Sequence, residues 1–287
     1  MNPYSERDEK RFFATIVFMK FIHLTDPHLT ASGELFELNV DQRLRDAVAS
    51  INRRHADAEL VMITGDIAHW GEPEAYARAK AIFADLAMPW YPLIGNHDVA
   101  EAFFSGLPNA IADEAGRACF RIDASAGAML ALDTLTEGTH AGLVDEHQLQ
   151  WLDAELDSVK SSALVFLHHP PVKMWIKGMD RIPLLNPDEL AAVLEKHPGK
   201  VRHLFFGHMH RAFHGSWRGI PFSTVKATAH QVAPILDNTT PLTSSREMPA
   251  YAVVMVSDDQ VAIHDISYME EATEFAYDRE AGRPAGG

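Results

Sequence analysis

The chain has 287 residues, of which 47% are apolar, and a formal net charge of -15, so it can bury a large core in one large or two small domains. The net negative charge disfavours a nucleic-acid duplex or a membrane surface as partner, because proteins that bind phosphate backbones or headgroups usually carry basic patches. The single cysteine, Cys119, excludes an internal disulfide and a cysteine-rich zinc site, which fits a cytoplasmic, reducing location.

The first 18 residues contain the stretch that most resembles a targeting segment, KRFFATIVFM. Its apolar part is far shorter than the roughly 20 residues that span a bilayer, and no small-residue cleavage site follows it. We therefore predict an appended or disordered extension over residues 1–18 and one domain over residues 19–268. Residues 269–287 are acidic and finish in Gly and Pro, which predicts a loose tail.

Within the domain, short β-rich runs alternate with amphipathic helices. In chain order, the pattern predicts strand 21–25, helix 41–55, strand 60–64, a helix with Pro73 in its first turn, strands 90–94 and 129–132, helix 145–156, strand 163–167, helix 187–197 and strand 201–206. The last part reads as strands with few helical signals, in PFSTVKATAH, YAVVMVS and VAIHDIS, which predicts antiparallel partners at the end of a sheet.

Polar side chains follow five of these strands, at the point where each strand ends. They occur in HLTDPH, MITGD, LIGNHD, VFLHHPP and FFGHMH, and comprise Asp26, His28, Asp66, Asn96, His97, Asp98, His168, His169, His208 and His210. In open α/β sheets the carboxyl ends of the strands are where ligands bind. Any one of these steps could be an ordinary strand-ending turn, but five together predict a site.

Glycine precedes the polar residue in three of the five segments, at Gly65, Gly95 and Gly207. A missing side chain lets the backbone turn sharply there and bring the next residue over the sheet edge. Converging Asp, Asn and His ligands without cysteine suit borderline or hard divalent metals such as Mn, Fe, Co or Zn.

The segments DPH, GD, GNHD, HHP and GHMH, in this order over residues 26–210, resemble the five blocks of the calcineurin-like metallophosphoesterases. GDIAHWGEPEAY and the doubled HHPP look like the branch with bacterial class III cyclic-nucleotide and glycerophosphodiester phosphodiesterases. The sequence is unlike the protein Ser/Thr phosphatases, whose G-D-x-V-D-R-G block it lacks. The resemblance implies a four-layer α/β/β/α sandwich with two mixed sheets flanked by helices.

The resemblance also implies a dinuclear metal centre with two divalent ions per chain. One ion would be held by Asp26, His28, Asp66 and His210, and the other by Asp66, Asn96, His168 and His208, with Asp66 as the bridge. Two cations and two ligand aspartates leave the site net positive, so it attracts a phosphate anion inside an acidic protein. A hydroxide bridging the metals would be the nucleophile.

His97, beside ligand Asn96, is the candidate to assist the leaving alkoxide. Asp98 is a candidate to orient His97 or to brace the Asn96 turn. His230 looks like the substrate-contacting histidine that this branch places after its last block. His69 stands where relatives commonly carry Asp or Asn, and it is either a neutral change or a change to the rim of the site. The candidate substrate contacts are therefore Asn96, His97, His69 and His230.

Other histidines, among them His140 and His203, lack motif context and are interpreted as structural or solvated, and His169 as a packing residue. The apolar stretch around Trp175 either lines the cleft or forms a contact in a homo-oligomer.

The function expected from these features is hydrolysis of a small-molecule phosphodiester, such as a cyclic nucleotide or a glycerophosphodiester. A phosphomonoesterase or nucleotide pyrophosphatase is the alternative on the same site, because the family shares its metal blocks. The non-enzymatic alternative is a scaffold that kept the fold and lost the chemistry. Scaffolds of that kind are expected to lose metal ligands, and all of the candidate ligands are present here.

Overall fold

The computed structural model describes residues 19–269 except 238 and 240, together with the backbone of 277–278 and 283–284. The predicted extension over residues 1–18, and the predicted tail beyond residue 269, lie outside the described residues apart from those two short strands. No helix among the described residues is long and apolar enough to cross a bilayer.

The longer elements alternate along the chain as the sequence pattern predicts. The strands are β1 (Met19–Leu24), β2 (Leu60–Thr64), β3 (Trp90–Leu93), β4 (Phe120–Ala124), β5 (Gly127–Leu132), β6 (Ala163–Leu167), β7 (Val201–Phe206), β8 (Phe213–Trp217), β9 (Ile220–Thr224), β10 (Ala250–Val256) and β11 (Val261–Ser267). The helices are α1 (Val40–His55), α2 (Pro73–Phe83), α3 (Ala100–Gly106), α4 (Glu146–Ser158) and α5 (Pro187–Lys196).

Two mixed sheets are built from these strands. The first has the order β11, β10, β1, β2, β3, and the second has the order β8, β9, β7, β6, β5, β4. In the first sheet β1, β2 and β3 are parallel, while β10 and β11 add antiparallel strands as expected for the end of the chain. In the second sheet β5, β6, β7 and β9 are parallel, and the two edge strands are antiparallel.

Three apolar clusters separate four layers of structure. Successive side chains of a strand point to opposite faces, so Ile22 of β1 packs under α1 and α2 while Phe21 packs between the sheets. The layer between the sheets contains Phe166 and Phe205, whose rings stack with centroids 4.9 Å apart. Helices α4 and α5 cover the outer face of the second sheet. The four-layer α/β/β/α sandwich is confirmed.

Local signals fix the starts of the long helices. The Asn39 side chain accepts a hydrogen bond from the Gln42 backbone N–H at 2.8 Å and caps α1, and Asp145 caps α4 in the same way at 2.9 Å. Such caps satisfy N–H groups that the helix leaves unpaired. Pro73 and Pro187 open α2 and α5, where a missing N–H costs nothing.

The structure differs from the sequence prediction in a few segments. Helix α3 and the edge strands β4 and β8 were not predicted, because α3 is short and the edge strands are partly exposed and lack a continuous apolar run. The predicted strand over 221–230 ends at Thr224. Beyond it, the Gln231 amide bonds to the backbone N–H and carbonyl of Ala227, which holds residues 227–231 in a turn.

Candidate metal centre

The five strand ends that carry the candidate ligands meet at one edge of the sandwich. Strands β1, β2 and β3 run parallel in one sheet and β6 and β7 run parallel in the other. Backbone hydrogen bonds join the loops beyond them: the Asp26 N–H donates to the Gly65 carbonyl at 3.2 Å, and the Gly207 N–H donates to the His168 carbonyl at 3.2 Å. The polar side chains therefore lie on loops that are linked to one another by backbone hydrogen bonds.

The three glycines are needed for two different reasons. Gly65 has a φ of +95°, a conformation that disfavours other residues. Gly95 and Gly207 are not in that region, and close approach is the constraint on them. A methyl group on Gly95 would lie 2.2 Å from Asp66 Oδ1, and one on Gly207 would lie 2.2 Å from the Thr64 carbonyl oxygen. The chain also turns at the other two glycines, where the Asp98 N–H donates to the Gly95 carbonyl at 3.3 Å and the Met209 N–H donates to the Gly207 carbonyl at 2.7 Å. Of the three, Gly65 alone has a backbone conformation that itself favours glycine.

Five of the candidate ligands have a left-handed backbone. Their φ values are 51° for Asp26, 46° for His28, 51° for Asp66, 67° for His208 and 48° for His210. This conformation is uncommon for residues other than glycine and costs free energy at each position. The packing of the strands must hold the turns in place, and the strained turns aim the side chains inward.

One buried cluster joins Asp26, His28, Asp66 and His210, whose ligand atoms all lie within 4.8 Å of one another. The Nε2 atoms of His28 and His210 are 2.9 Å apart. His28 Nε2 is 3.4 Å from Asp66 Oδ2, and His210 Nε2 is 3.4 Å from Asp26 Oδ1. These are the four residues proposed for the first metal.

A second group of candidate ligands also includes Asp66. The Oδ2 atom of Asp66 is 3.3 Å from His168 Nε2, and His168 Nε2 is 3.1 Å from Asn96 Oδ1. The ring of His208 lies 5.1 Å from that of His168. The same oxygen of Asp66 therefore lies near both groups, a position from which the carboxylate can bridge two metals.

Backbone carbonyls select the tautomer of three of these histidines. His168 Nδ1 lies 2.7 Å from the Thr64 carbonyl, His210 Nδ1 lies 2.9 Å from the His230 carbonyl, and His208 Nε2 lies 3.0 Å from the Ile182 carbonyl. Since a carbonyl only accepts, each of these ring nitrogens carries the proton. The other nitrogen of each ring is left for the cluster, and its lone pair binds a metal when that nitrogen carries no proton.

The donor set fits two divalent ions. Neighbouring ligands about 2.1 Å from one ion are separated by about 3.0 Å in an octahedral site and about 3.4 Å in a tetrahedral one. The Nε2 atoms of His28 and His210 are 2.9 Å apart and lie 3.4 Å from Asp66 Oδ2 and Asp26 Oδ1 respectively, which is close to these values, and His28 Nε2 is 3.9 Å from Asp26 Oδ1. Nitrogen and oxygen donors without sulfur suit the metals expected from the sequence.

Electrostatics in the cluster keeps its central carboxylate charged. Burial of Asp66 opposes ionisation, but the neighbouring His168 and His28 hold the pKa of this carboxyl well below its usual range. Burial also lowers the pKa of His28 well below 6.5, which keeps its ring neutral. Burial opposes protonation of His168 too, but Asp66 raises its pKa to about 9. The site is therefore built to hold positive charge next to Asp66.

His97 lies at the edge of this cluster with its ring anchored. Its Nδ1 atom is 2.9 Å from the His69 carbonyl and so carries a proton, while its backbone N–H donates to Asp66 Oδ1 at 2.8 Å. The ring stacks on that of His69, with centroids 4.8 Å apart. The Nε2 atom is the one left for a substrate.

Asp98 is buried beneath the turns, and its described hydrogen bonds reach the backbone. It accepts from the N–H groups of Gly95 at 2.9 Å, Ile67 at 3.1 Å and Ala68 at 2.9 Å, and from the Tyr76 hydroxyl at 3.0 Å. None of its described contacts is with the His97 ring. Of the two roles considered from the sequence, the geometry favours bracing of the Asn96 turn over orientation of His97.

His69 and His230 both lie on the wall of the cleft above the cluster. His69 Nδ1 is 2.9 Å from His28 Nδ1, so His69 contacts a candidate ligand directly. His230 Nδ1 is buried and has no hydrogen-bond partner among the described residues, and its ring lies 4.5 Å from that of His210. An unpartnered nitrogen in this position is available to a bound molecule.

Comparison with known proteins decides the family. A family model described as calcineurin-like phosphoesterase matches residues 19–212. The chain belongs to the calcineurin-like phosphoesterase family.

Relatives of this phosphoesterase fall in the branch that its motifs predict. It is 39% identical, over 90% of its length and 96% of the relative's, to a probable cyclic nucleotide phosphodiesterase of Rhodopseudomonas palustris. It is 30% identical, over 78% of its length and 82% of the relative's, to the glycerophosphodiester phosphodiesterase GpdQ of Enterobacter lignolyticus.

A solved structure supports the fold. The phosphoesterase superposes with a TM-score of 0.62 on a dimetal phosphatase from Danio rerio, at 18% identity, over 87% of its length and 99% of the other chain.

Several residues of the phosphoesterase cleft were not found from the sequence. Phe36 and Leu242 line it with the histidines, and His140 Nδ1 lies 3.0 Å from the Asn96 amide nitrogen. These residues come from loops without a motif, so only the folded chain brings them to the site.

Two other residues considered from the sequence lie as follows. His169 is buried, with Nδ1 2.8 Å from Thr134 Oγ1. Trp175 is 63% exposed and outside the lining of this cleft.

Proposed function

We propose that this phosphoesterase hydrolyses a phosphodiester to a phosphomonoester and an alcohol, with a dinuclear metal site formed by Asp26, His28, Asp66, Asn96, His168, His208 and His210. The observation that carries the proposal is the position of Asp66 Oδ2 between His28 and His168, 3.4 and 3.3 Å away. One carboxylate placed between two ligand groups can hold two cations about 3.5 to 4 Å apart, the usual separation in two-metal sites.

Bound there, two divalent ions would supply positive charge for the phosphate and would lower the pKa of water to give a nucleophile. The carboxylates of Asp26 and Asp66 offset only part of that charge, so the centre attracts an anionic phosphate. The carbonyls of Thr64, His230 and Ile182 orient the ligand rings before substrate arrives. Because the rings are already oriented, less conformational entropy is lost when the site is assembled.

His97 is the proposed acid for the departing alcohol. Its Nδ1–H is held by the His69 carbonyl, so the ring presents Nε2 to the cleft, where a proton can pass to the leaving oxygen. Histidine is the side chain that most often serves as a general acid or base. Asn96 and His97 are proposed to contact the phosphate, and His69 and His230 to contact the remainder of the substrate.

The cleft favours a diester over a monoester. A diester carries one negative charge near neutral pH, whereas a monoester carries close to two. No Lys or Arg is among the described residues that line the cleft. Arg211, next to His210 in sequence, pairs instead with Glu247, at 2.9 Å between Nη1 and Oε1. The described lining therefore offers no Lys or Arg side chain for the second phosphate charge.

The metal pair is proposed from the ligand chemistry as Mn, Fe, Co or Zn, since the donors are imidazole, amide and carboxylate groups. A reducing compartment such as the cytoplasm is proposed because the lone Cys119 is buried and free.

The test compares hydrolysis of bis(p-nitrophenyl) phosphate with that of p-nitrophenyl phosphate by protein of measured metal content. We expect up to two divalent ions per chain, loss of activity in chelator, recovery with Mn or Co, and a higher kcat/KM for the diester at pH 7 to 8. A monoester preference of tenfold or more would favour the phosphomonoesterase instead. Metal-loaded protein inactive on both compounds and on cyclic nucleotides would favour the scaffold.

A further inference from the structure

The rim of the metal cleft carries an aromatic side chain in an unusual conformation. Residues 34–35 and 38–39 pair as a short hairpin, with Leu35 opposite Leu38, and the two turn residues, Phe36 and Glu37, have φ values of 50° and 61°. Two-residue turns with both φ values positive usually hold Asn or Gly. A bulky aromatic residue in this conformation is strained, and such strain persists where the surrounding structure enforces it.

The turn places the Phe36 ring over the cleft. Its centroid lies 5.0 Å from that of His230 and 5.8 Å from that of His69, in edge-to-face arrangements. The ring is nevertheless 51% exposed, so the fold leaves much of its apolar surface uncovered beside the metal ligands. This surface is available to a bound molecule.

A second apolar side chain lies on the same cleft. Leu242 is 46% exposed and is seated on the backbone of the loop before Met179, since a methyl group on Gly178 would lie 2.3 Å from Leu242 Cβ. Met179, Ile182 and Val232 complete an apolar wall. An ion pair joins the hairpin to the segment that follows Leu242, with Arg246 Nη2 2.5 Å from Glu37 Oε2.

We propose that Phe36, with Leu242, is a specificity-determining residue that receives the retained ester group of the diester and favours a flat, aromatic group over a small polar one. The inference rests on the proposed diesterase function. The leaving oxygen is assigned to His97, whose ring stacks on that of His69. Phe36 has ring contacts with His69 and His230 and none described with His97, so it lies farther from the leaving oxygen. The retained group therefore lies against Phe36.

The chemistry of the wall supports an aromatic group. Aromatic rings gain from edge or offset contacts with another ring in addition to the area that they bury. The side chains of Phe36, Leu242, Met179, Ile182 and Val232 offer no hydrogen-bonding group for hydroxyls. Against these five side chains the hydroxyls of a glycerol-like group would lose water without replacing its hydrogen bonds, which leaves Ser244 and the histidines of the lining as their side-chain partners.

The experiment uses two diesters that share p-nitrophenolate as the leaving group and differ in the retained group, phenyl p-nitrophenyl phosphate and methyl p-nitrophenyl phosphate. For the metal-loaded wild-type protein we expect kcat/KM to be about 10-fold or more higher for the phenyl compound. In Phe36→Asn, which removes the ring and accepts the positive φ, the ratio should fall to about 3-fold or less. Phe36→Tyr should keep the wild-type ratio.

Trp175 offers a matched control, because it too has a positive φ, of 60°, and is exposed, yet lies outside the lining of this cleft. Trp175→Asn should keep the wild-type ratio. Metal content and circular dichroism of each variant verify that the centre and fold are intact. If both diesters are hydrolysed and the ratio is the same in wild type and Phe36→Asn, the role of Phe36 is wrong and the diesterase function stands. If neither is hydrolysed, the diesterase function itself fails.

Discussion

At the scale of single residues, the site separates the proposed metal ligands from the proposed proton donor, His97. Asp26, Asp66 and the ligand histidines are buried, and three of the histidines have their tautomers set by backbone carbonyls. His97 is only partly buried and touches the cluster through its backbone N–H. Removal of a ligand and removal of His97 should therefore have different consequences.

Replacing Asp66 should remove the bridge between the two ligand groups. In Asp66→Ala, two cations would face each other without the shared carboxylate, so we expect loss of at least one ion per chain and of activity. Elemental analysis after gel filtration measures this loss. Asp123→Ala, on an exposed strand far from the cluster, is the control and should keep its metal. Two ions retained in Asp66→Ala would contradict the bridging role.

Replacing His97 should slow turnover and leave the metals in place. Loss of a general acid typically costs about 10² to 10⁴ fold, and we expect His97→Ala to lose that much with a diester whose leaving group is an alkyl alcohol. The loss should be smaller with p-nitrophenolate, a weak base that departs without a proton. Steady-state kinetics on both diesters, with metal content, measures the difference. A metal lost in His97→Ala would show that its role is structural.

At the scale of elements, close packing of strand ends decides where the ligands lie. Strands β2 and β7 belong to different sheets, yet Gly207 after β7 approaches the Thr64 carbonyl at the end of β2 too closely for a side chain. The contact brings His208 and His210 to the ligands of the first sheet. Glycine here is a requirement of packing between sheets.

Gly207→Ala tests that contact. Its methyl group would lie 2.2 Å from the Thr64 carbonyl oxygen and 2.5 Å from Thr25 Oγ1, so the turn must shift. We expect a loss of about 1 to 3 kcal/mol in the free energy of unfolding and weaker metal binding, by urea denaturation and metal titration. Gly199→Ala is the control: space there is open, but φ is +77°. Gly199→Ala should lower the free energy of unfolding and leave the metal affinity unchanged. An unchanged metal affinity in Gly207→Ala would contradict the role of this contact in placing the candidate ligands.

The prediction of helices and strands succeeded where periodicity and caps were strong. It failed where contacts with other segments determine the local structure. Helix α1 begins one residue before its predicted start, and Asp145 caps α4. By contrast, residues 225–230 have a β-like composition but leave the sheet, because the Thr228 N–H bonds to the Thr25 carbonyl at 3.2 Å and Gln231 closes a turn. Thr25 is distant from Thr228 in sequence, and the hydrogen bonds between Gln231 and Ala227 form only when the chain has already turned.

At the scale of the whole molecule, burial of neutral histidines links stability to pH. Burial lowers the pKa of His203 from 6.5 to about 4. Between these values the unfolded chain binds a proton on this ring and the folded protein does not, so stability falls as pH falls. Its contribution is complete above 6.5 and is lost progressively down to about 4.

His203→Gln should reduce this acid sensitivity, since glutamine can still bond to Ser223, whose Oγ lies 2.9 Å from His203 Nε2, and cannot ionise. From pH 7 to pH 5 we expect the free energy of unfolding to fall by about 2 kcal/mol less in the variant than in the wild type, at about 1.4 kcal/mol per pH unit. Urea denaturation in chelator, which removes metal linkage, measures this difference. Equal losses in the two proteins would contradict a neutral buried His203.

The sequence by itself determined the alternating α/β pattern and the motif residues at five strand ends, because periodicity, caps and motif spacing are local features of the chain. It also carried the resemblance that fixes the family. Only the tertiary structure decided which oxygen of Asp66 lies near both ligand groups, that Asp98 braces backbone N–H groups, and that Phe36 overlooks the cleft. These features depend on contacts between segments far apart in the chain, whose distances are set by the packing of the two sheets.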